Sequence, residues 1–244
     1  MRYIERLPRR TKRPLVQTLF SSGEQSHLSS RPFPVIPSFS DLHELQEWFA
    51  FASQFLADFR STASVAPSSP HLAREMVAPV PAETARVVVE FGPGTGPMTS
   101  QLLEVLSCDA RLYCFEINPH FVSYLERNFQ DERLTVLGVG AQTAPDVLAS
   151  HGELRADAVV SSLPLSFFPG DLRHSILNAA ATCLRPGGVY TQFQYASGLD
   201  CSGRIPKPYD LRPLLKQYFS RVERRLVWMN FPPAWVYRCY RDSH

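Results

Sequence analysis

The sequence predicts an α/β fold, a seven-stranded, mostly parallel sheet covered by helices on both faces and closed by an antiparallel C-terminal hairpin. Three observations predict it. From about residue 79, short apolar runs alternate with segments of helical period, the pattern of successive βαβ units. The strand-like run Val87-Val88-Val89-Glu90-Phe91 leads straight into Gly92-Pro93-Gly94-Thr95-Gly96. Finally, only Met229 to Ala234 separates the last two strand candidates, which is too short for a crossover helix and forces antiparallel pairing.

Before the sheet, residues 1–38 read as a basic, flexible arm: Arg2, Arg6, Arg9, Arg10, Lys12 and Arg13 stand against Glu5, and a Ser-, Gly- and Pro-rich stretch follows. Residues 39–78 read as an N-terminal helical segment. Its main helix is capped by Ser40 or Asp41 and carries Leu42, Leu45, Trp48, Phe49, Ala52, Phe55, Leu56 and Phe59 at spacings of three and four. A shorter helix, His71 to Val77, leads to Pro79 and Pro81. Residues 79–244 form the sheet domain. The expected strands are Arg86 to Phe91, Arg111 to Glu116, Leu134 to Val139, Asp157 to Ser161, Val189 to Tyr195, Val222 to Trp228 and Trp235 to Arg241. The expected helices are Thr99 to Leu106, Pro119 to Gln130, Ala144 to Ser150, Asp171 to Leu184 and Tyr209 to Phe219.

A chain of 244 residues is long enough for one domain with an appendage. It holds no apolar run approaching the roughly 18 residues that cross a bilayer, and no signal peptide or anchor is readable at its start, so the expectation is a cytoplasmic protein. The five cysteines are scattered without a Cys-x-x-Cys pair, which argues for reduced thiols and against a metal. A net charge of +2 is too small to imply nucleic-acid binding by electrostatics alone.

The chemistry sits at two strand tips. The glycines of Gly92 to Gly96 let backbone approach a ligand and take positive φ, and the helix that follows presents free N–H groups. The spacing Gly-x-Gly-x-Gly departs from the dinucleotide fingerprint Gly-x-Gly-x-x-Gly. About 20 residues beyond Gly96, the next strand ends in Glu116, where a carboxylate can accept both hydroxyls of a ribose. Glu116 also stands where a helix cap would stand.

The residues Glu90-Phe91-Gly92-Pro93-Gly94-Thr95-Gly96, Glu116 and Leu184-Arg185-Pro186-Gly187-Gly188 resemble the class I S-adenosylmethionine-dependent methyltransferases, whose Rossmann-like sheet ends in such a hairpin. A narrower likeness lies in Val65 to Ser69, Ser162 to Pro169, Gln192-Phe193-Gln194-Tyr195 and Trp228 to Arg238, which are similar to bacterial phospholipid N-methyltransferases. The resemblance implies S-adenosyl-L-methionine as cofactor and the amine of phosphatidylethanolamine as substrate, with ornithine lipid as a related one. It implies that Glu90, Gly92, Gly94 and Gly96 hold the methionine part, Glu116 and Ile117 the ribose side, Ala141 and Gln142 the adenine, and Ser162 the cofactor at the fourth strand, while Ser68 or Ser69 closes over it. At the third strand the family commonly has an acid before alanine; here Gly140-Ala141-Gln142 stands, and Gln142 is the substitute.

At the fourth strand tip, nucleobase-amine methyltransferases use Asn or Asp, two prolines and an aromatic; here Ser162-Leu163-Pro164-Leu165 stands, with Leu163 next to the transferred methyl. An enzyme resembling the ribosomal RNA adenine dimethyltransferases stays open through Phe167 or Phe168, which can stack on a base, as does a non-catalytic cofactor-binding module. An amine must lose its proton before it attacks, so a Tyr or His is expected nearby: Tyr237 first, then His71 and His174. Tyr237 reads equally as a packed strand residue, and Asn230 and Arg238 as either ligands of a lipid phosphodiester or structural parts of the hairpin. A lipid substrate implies peripheral attachment to the anionic inner membrane, with the arm and the aromatic helix face of residues 1–60 as the contact, although such a helix also packs on sheets.

Overall fold

The structure, a computed structural model, describes residues 69–196, 199–200, 207–208 and 210–242. The basic arm, the aromatic helix expected from Ser40 and Ser68 lie outside the described residues.

In chain order the elements are α1 (Pro70–Val77), β1 (Val87–Phe91), α2 (Pro97–Val105), β2 (Arg111–Phe115), α3 (Pro119–Asn128), β3 (Leu134–Leu137), α4 (Ala144–Ser150), β4 (Ala156–Ser161), α5 (Gly170–Cys183), β5 (Leu184–Tyr195), β6 (Leu199–Asp200), β7 (Lys207–Pro208), α6 (Arg212–Leu215), β8 (Arg221–Val227) and β9 (Ala234–Tyr240). Single 3₁₀ turns follow β3 at Ala141–Thr143 and β4 at Leu165–Phe167. The main sheet has seven strands in the order β3-β2-β1-β4-β5-β9-β8. Strands β1 to β5 run parallel, while β9 pairs antiparallel with both β5 and β8.

Both sheet faces are covered, so β1 is buried along its whole length and reads as an apolar run broken only by Glu90 rather than as an alternation. On one face Val88, Leu112, Cys114 and Val160 pack with Leu72 and Met76 of α1 and Met98 and Leu102 of α2. On the other, Val89, Phe91, Phe115 and Tyr190 pack with Leu148 of α4, Ile176 and Leu177 of α5 and Leu215 of α6. Helix α1 belongs to this core, and its fully buried Leu72 and Met76 contribute about 1.5–3 kcal/mol each. It starts where the sequence permits: the Ser69 hydroxyl accepts from the Leu72 N–H and Pro70 occupies the first helical position.

Most boundaries fall within two residues of expectation, and several differences are instructive. The helix expected over Tyr209 to Phe219 is only Arg212–Leu215, because Pro213 falls in its first turn and the chain closes by single turns such as Phe219 N–H to Leu215 carbonyl. Strand β5 starts at Leu184 instead of Val189, since Leu184 already pairs with Ala156 ahead of a register shift. Strand β3 ends at Leu137, with Gly138 and Val139 exposed beyond it. The small β6–β7 pairing had no counterpart in the expected elements.

Candidate functional site

Strand β1 has β2 on one side and β4 on the other, so the chain winds away in both directions from its carboxyl end. Such a switch point opens a crevice above the strand tips. The turn Gly92 to Gly96 rises there with φ of +69° at Gly92, +58° at Gly94 and +82° at Gly96, a region that favours glycine. The three glycines answer different needs. A methyl group on Gly92 would stand 2.6 Å from Leu163 Cδ2, and one on Gly96 would stand 2.6 Å from two ring carbons of Phe129. One on Gly94 would meet nothing within 4 Å. Gly96 therefore has a packing reason to be glycine, room for the Phe129 ring, whereas Gly94 leaves backbone open to a ligand.

Glu116 follows β2 and is nearly buried. Its Oε2 accepts from the Gly94 N–H at 3.1 Å and its Oε1 from the Asn118 N–H at 2.9 Å, so the carboxylate is clasped between the turns after β1 and β2. Burial pushes its pKa up, while the backbone N–H groups of Asn118, Gly94 and Ile117 pull it down. Ile117 is half-buried beside it.

Glu90 lies fully buried under the turn. Its Oε2 accepts from the Thr99 hydroxyl at 2.7 Å and from the Cys114 thiol at 3.2 Å, whereas its Oε1 is buried without a partner among the described residues. Burial pushes the Glu90 carboxyl up to about 7, the Thr99 and Cys114 hydrogen bonds oppose that, and the Glu116 charge adds to it.

The remaining tips complete the crevice. Ser162 donates its N–H to the Phe91 carbonyl at 2.9 Å, extending the β1–β4 ladder so that Leu163 packs on Gly92. Beyond β3, Ala141 is buried and the half-buried Gln142 folds its amide back over Gly140. Gly92, Gly94, Glu116, Ser162 and Leu163 are thus brought together, with Glu90 beneath them.

Several expected residues are elsewhere. Tyr237 is fully buried in the core with Leu211, Leu215 and Phe219, its hydroxyl turned towards the Leu211 backbone, Asp210 and Arg224, and burial raises its pKa. Among the described residues it packs as a core residue, the alternative that the sequence left open beside the catalytic one. The His174 ring is bonded to the Tyr218 hydroxyl, and His71 stands half-buried in the first turn of α1, joined to the glycine turn by no hydrogen bond among the described residues. Ser69 spends its hydroxyl capping α1 and its N–H on Asn230 Oδ1 at 3.0 Å. Asn230 is buried and donates its Nδ2 to the Pro232 carbonyl at 2.7 Å, and Arg238 pairs with Glu75 of α1 at 2.8 Å. Both are tied into the hairpin and to the segment of α1, the structural alternative that the sequence left open.

Gln192 was missed. Fully buried in β5, it accepts from the Tyr190 hydroxyl at 2.7 Å and donates to the carbonyls of Leu163 at 2.9 Å and Phe193 at 2.7 Å, which fixes the β4 tip. The signals were its place in the Gln192-Phe193-Gln194-Tyr195 likeness, to which no role was given, and an amide on a central strand, where a buried polar group needs partners.

An open glycine backbone, a carboxylate at the neighbouring tip and an unmet buried carboxylate oxygen fit a ligand with vicinal hydroxyls and an ammonium group. Comparison with known proteins agrees. A family model described as a methyltransferase domain matches residues 88–188. An ornithine lipid N-methyltransferase of Singulisphaera acidiphila is 31% identical over 196 residues, covering 80% of this chain and 96% of that protein. Among solved structures, the Burkholderia thailandensis 1,6-didemethyltoxoflavin-N1-methyltransferase, bound to its substrate and S-adenosylhomocysteine, has a TM-score of 0.57 at 19% identity over 88% of this chain and 93% of that one. A T. thermophilus 16S rRNA methyltransferase in complex with S-adenosylmethionine and guanosine has a TM-score of 0.52 at 21% identity over 74% of this chain; the chain spans 44% of that protein's length. These two likenesses carry the fold, and the 31% relative, covered almost end to end, carries the family. The chain belongs to the class I S-adenosylmethionine-dependent methyltransferases, and S-adenosyl-L-methionine is its cofactor.

Proposed function

We propose that the protein methylates the amine nitrogen of a membrane amino-lipid, with phosphatidylethanolamine on the way to phosphatidylcholine as the first substrate to test and ornithine lipid as the second. The observation that carries this reading is the relative that methylates ornithine lipid, matched over 96% of its length. The β4 tip supports it: Ser162-Leu163-Pro164-Leu165 has no Asn or Asp side chain to accept from a nucleobase amine, and Leu165 is buried in the core.

S-adenosylmethionine supplies a methyl group on a positively charged sulfur, an electrophile strong enough to need no covalent help from the protein. What remains for the chain is holding and aiming. In this reading Glu116 accepts the ribose hydroxyls, Glu90 Oε1 meets the methionine ammonium, Gly94 lets the cofactor lie against backbone, and Ile117, Ala141 and Gln142 border the adenine. Leu163 and Ser162 edge the site of transfer. The Leu163 carbonyl accepts from Gln192 Nε2 and from the Leu165 N–H, each at 2.9 Å, so its two lone pairs are taken and it fixes the β4 tip. With Tyr237 in the core, the amine proton leaves to solvent. The protein works on the cytoplasmic face of the membrane as a peripheral enzyme; no helix among the described residues is long and apolar enough to cross a bilayer.

Incubation with methyl-labelled cofactor and vesicles containing phosphatidylethanolamine or ornithine lipid, in parallel with structured RNA, tests this. Label is expected in N-methylated lipid. Label in RNA and in neither lipid would overturn the reading.

A further inference from the structure

The hairpin that closes the sheet ends in an exposed apolar wedge. Between β8 and β9 the side chains of Trp228, Met229 and Phe231 are 73%, 66% and 79% exposed. Asn230, in their midst, is 5% exposed and bonded to Pro232 on its own loop and to Ser69 ahead of α1. One inward anchor therefore holds three large apolar side chains outward. A monomer in water rarely displays such a cluster without a partner for it.

Position and charge indicate the partner. The ladder pairs Tyr195 with Ala234 and Ala234 with Val227, so the wedge projects at the carboxyl end of β5, the end of the sheet at which Gly92 to Gly96 and Ser162 also lie. From Arg224 to Arg241 the chain has no Asp or Glu. Arg224 and Arg225 precede the wedge on β8: Arg224 lies over the Trp235 ring and pairs with Asp210 at 3.7 Å, whereas the Arg225 side chain stays 64% exposed while paired to Glu75. Tryptophan and phenylalanine favour the bilayer interface, and arginines beside them favour anionic head groups.

We propose that the β8–β9 tip inserts into the interface of an anionic phospholipid bilayer and so turns the cofactor crevice towards the head groups. This rests on the amino-lipid reading for its purpose, while binding itself is measured apart from catalysis. The full chain and the triple variant Trp228→Ala/Met229→Ala/Phe231→Ala are compared by sedimentation with phosphatidylcholine vesicles with and without phosphatidylglycerol. The variant is expected to lose tenfold or more in binding to anionic vesicles. It should methylate a short-chain, water-soluble amino-lipid at the wild-type rate, yet a long-chain one in vesicles at least tenfold more slowly. Equal binding by both proteins would overturn the proposal, and so would an equal loss of rate on the soluble substrate, which would put these residues in the site. If neither protein methylates any lipid, the substrate reading fails while the binding comparison still decides the wedge. In a protein with Trp48→Phe and Trp235→Phe, brominated lipids should quench Trp228. Absence of quenching would mean that the tip is covered by another part of the chain, such as residues 1–68, and would also overturn the proposal.

Discussion

Glu116 Oε2 accepts the backbone N–H of Gly94 at 3.1 Å, so the acid that follows β2 is bonded to the central glycine of the turn that follows β1. One carboxylate thus joins the two halves of the cofactor crevice before any ligand arrives. The preorganisation has a cost in desolvation, visible as the raised pKa of Glu116, and the backbone N–H groups of Asn118, Gly94 and Ile117 offset part of it.

The glycines should separate by experiment. Gly94→Ala puts a side chain at a φ of +58° with free space around it, costing about 1–2 kcal/mol in urea unfolding while weakening cofactor binding by more than that strain explains. Gly96→Ala adds a collision with the Phe129 ring to the same strain, so its unfolding loss should exceed that of Gly94→Ala. The reverse order would contradict the packing role given to Gly96.

Glu90 should make stability fall as pH rises. Its folded pKa of about 7 lies above the ordinary 4.5, so the folded protein holds this proton more tightly than the unfolded chain does. The stabilisation is complete below pH 4.5 and is lost as pH climbs through 7, a change of about 3 kcal/mol in the wild type. Glu90→Gln removes that slope. Unfolding curves at a series of pH values should show the variant gaining on the wild type up to neutrality, and parallel curves would refute the assignment.

Tyr237→Phe should keep kcat within about twofold of the wild type and change unfolding free energy by no more than about 1–2 kcal/mol, because the hydroxyl lies inside the core beside Leu211. A loss of two orders of magnitude in kcat with unchanged KM would return this tyrosine to the reaction.

Asn230→Ala should cost about 1–3 kcal/mol in stability, since the Ser69 N–H and the Pro232 carbonyl both lose their partner. Thermal unfolding measures it, and a shift within error would show that the hairpin is not tied to α1 through this side chain.

The architecture was legible because each signal was local. The glycine turn, the acid near the end of β2, the helix caps and the short Met229–Ala234 connection each follow from neighbours in sequence. The position of Tyr237 was not, because β9 is covered on both faces: Val236 packs in one core and Tyr237 in the other, and no alternation of polar residues marks which side leads to the crevice. The bond of Asn230 to Ser69 joins residues 161 apart, and the grip of Gln192 on Leu163 joins residues 29 apart, neither of which any spacing rule anticipates. The third glycine was legible as a glycine, but not its purpose, since Phe129 reaches it from the end of another helix.

The most direct measurement is calorimetric titration of S-adenosylmethionine into the wild type and Glu116→Ala, with circular dichroism to verify that the variant is folded. Losing a charged acceptor for two hydroxyls should weaken binding by about 100-fold or more. A folded variant that binds the cofactor as tightly as the wild type would contradict the account.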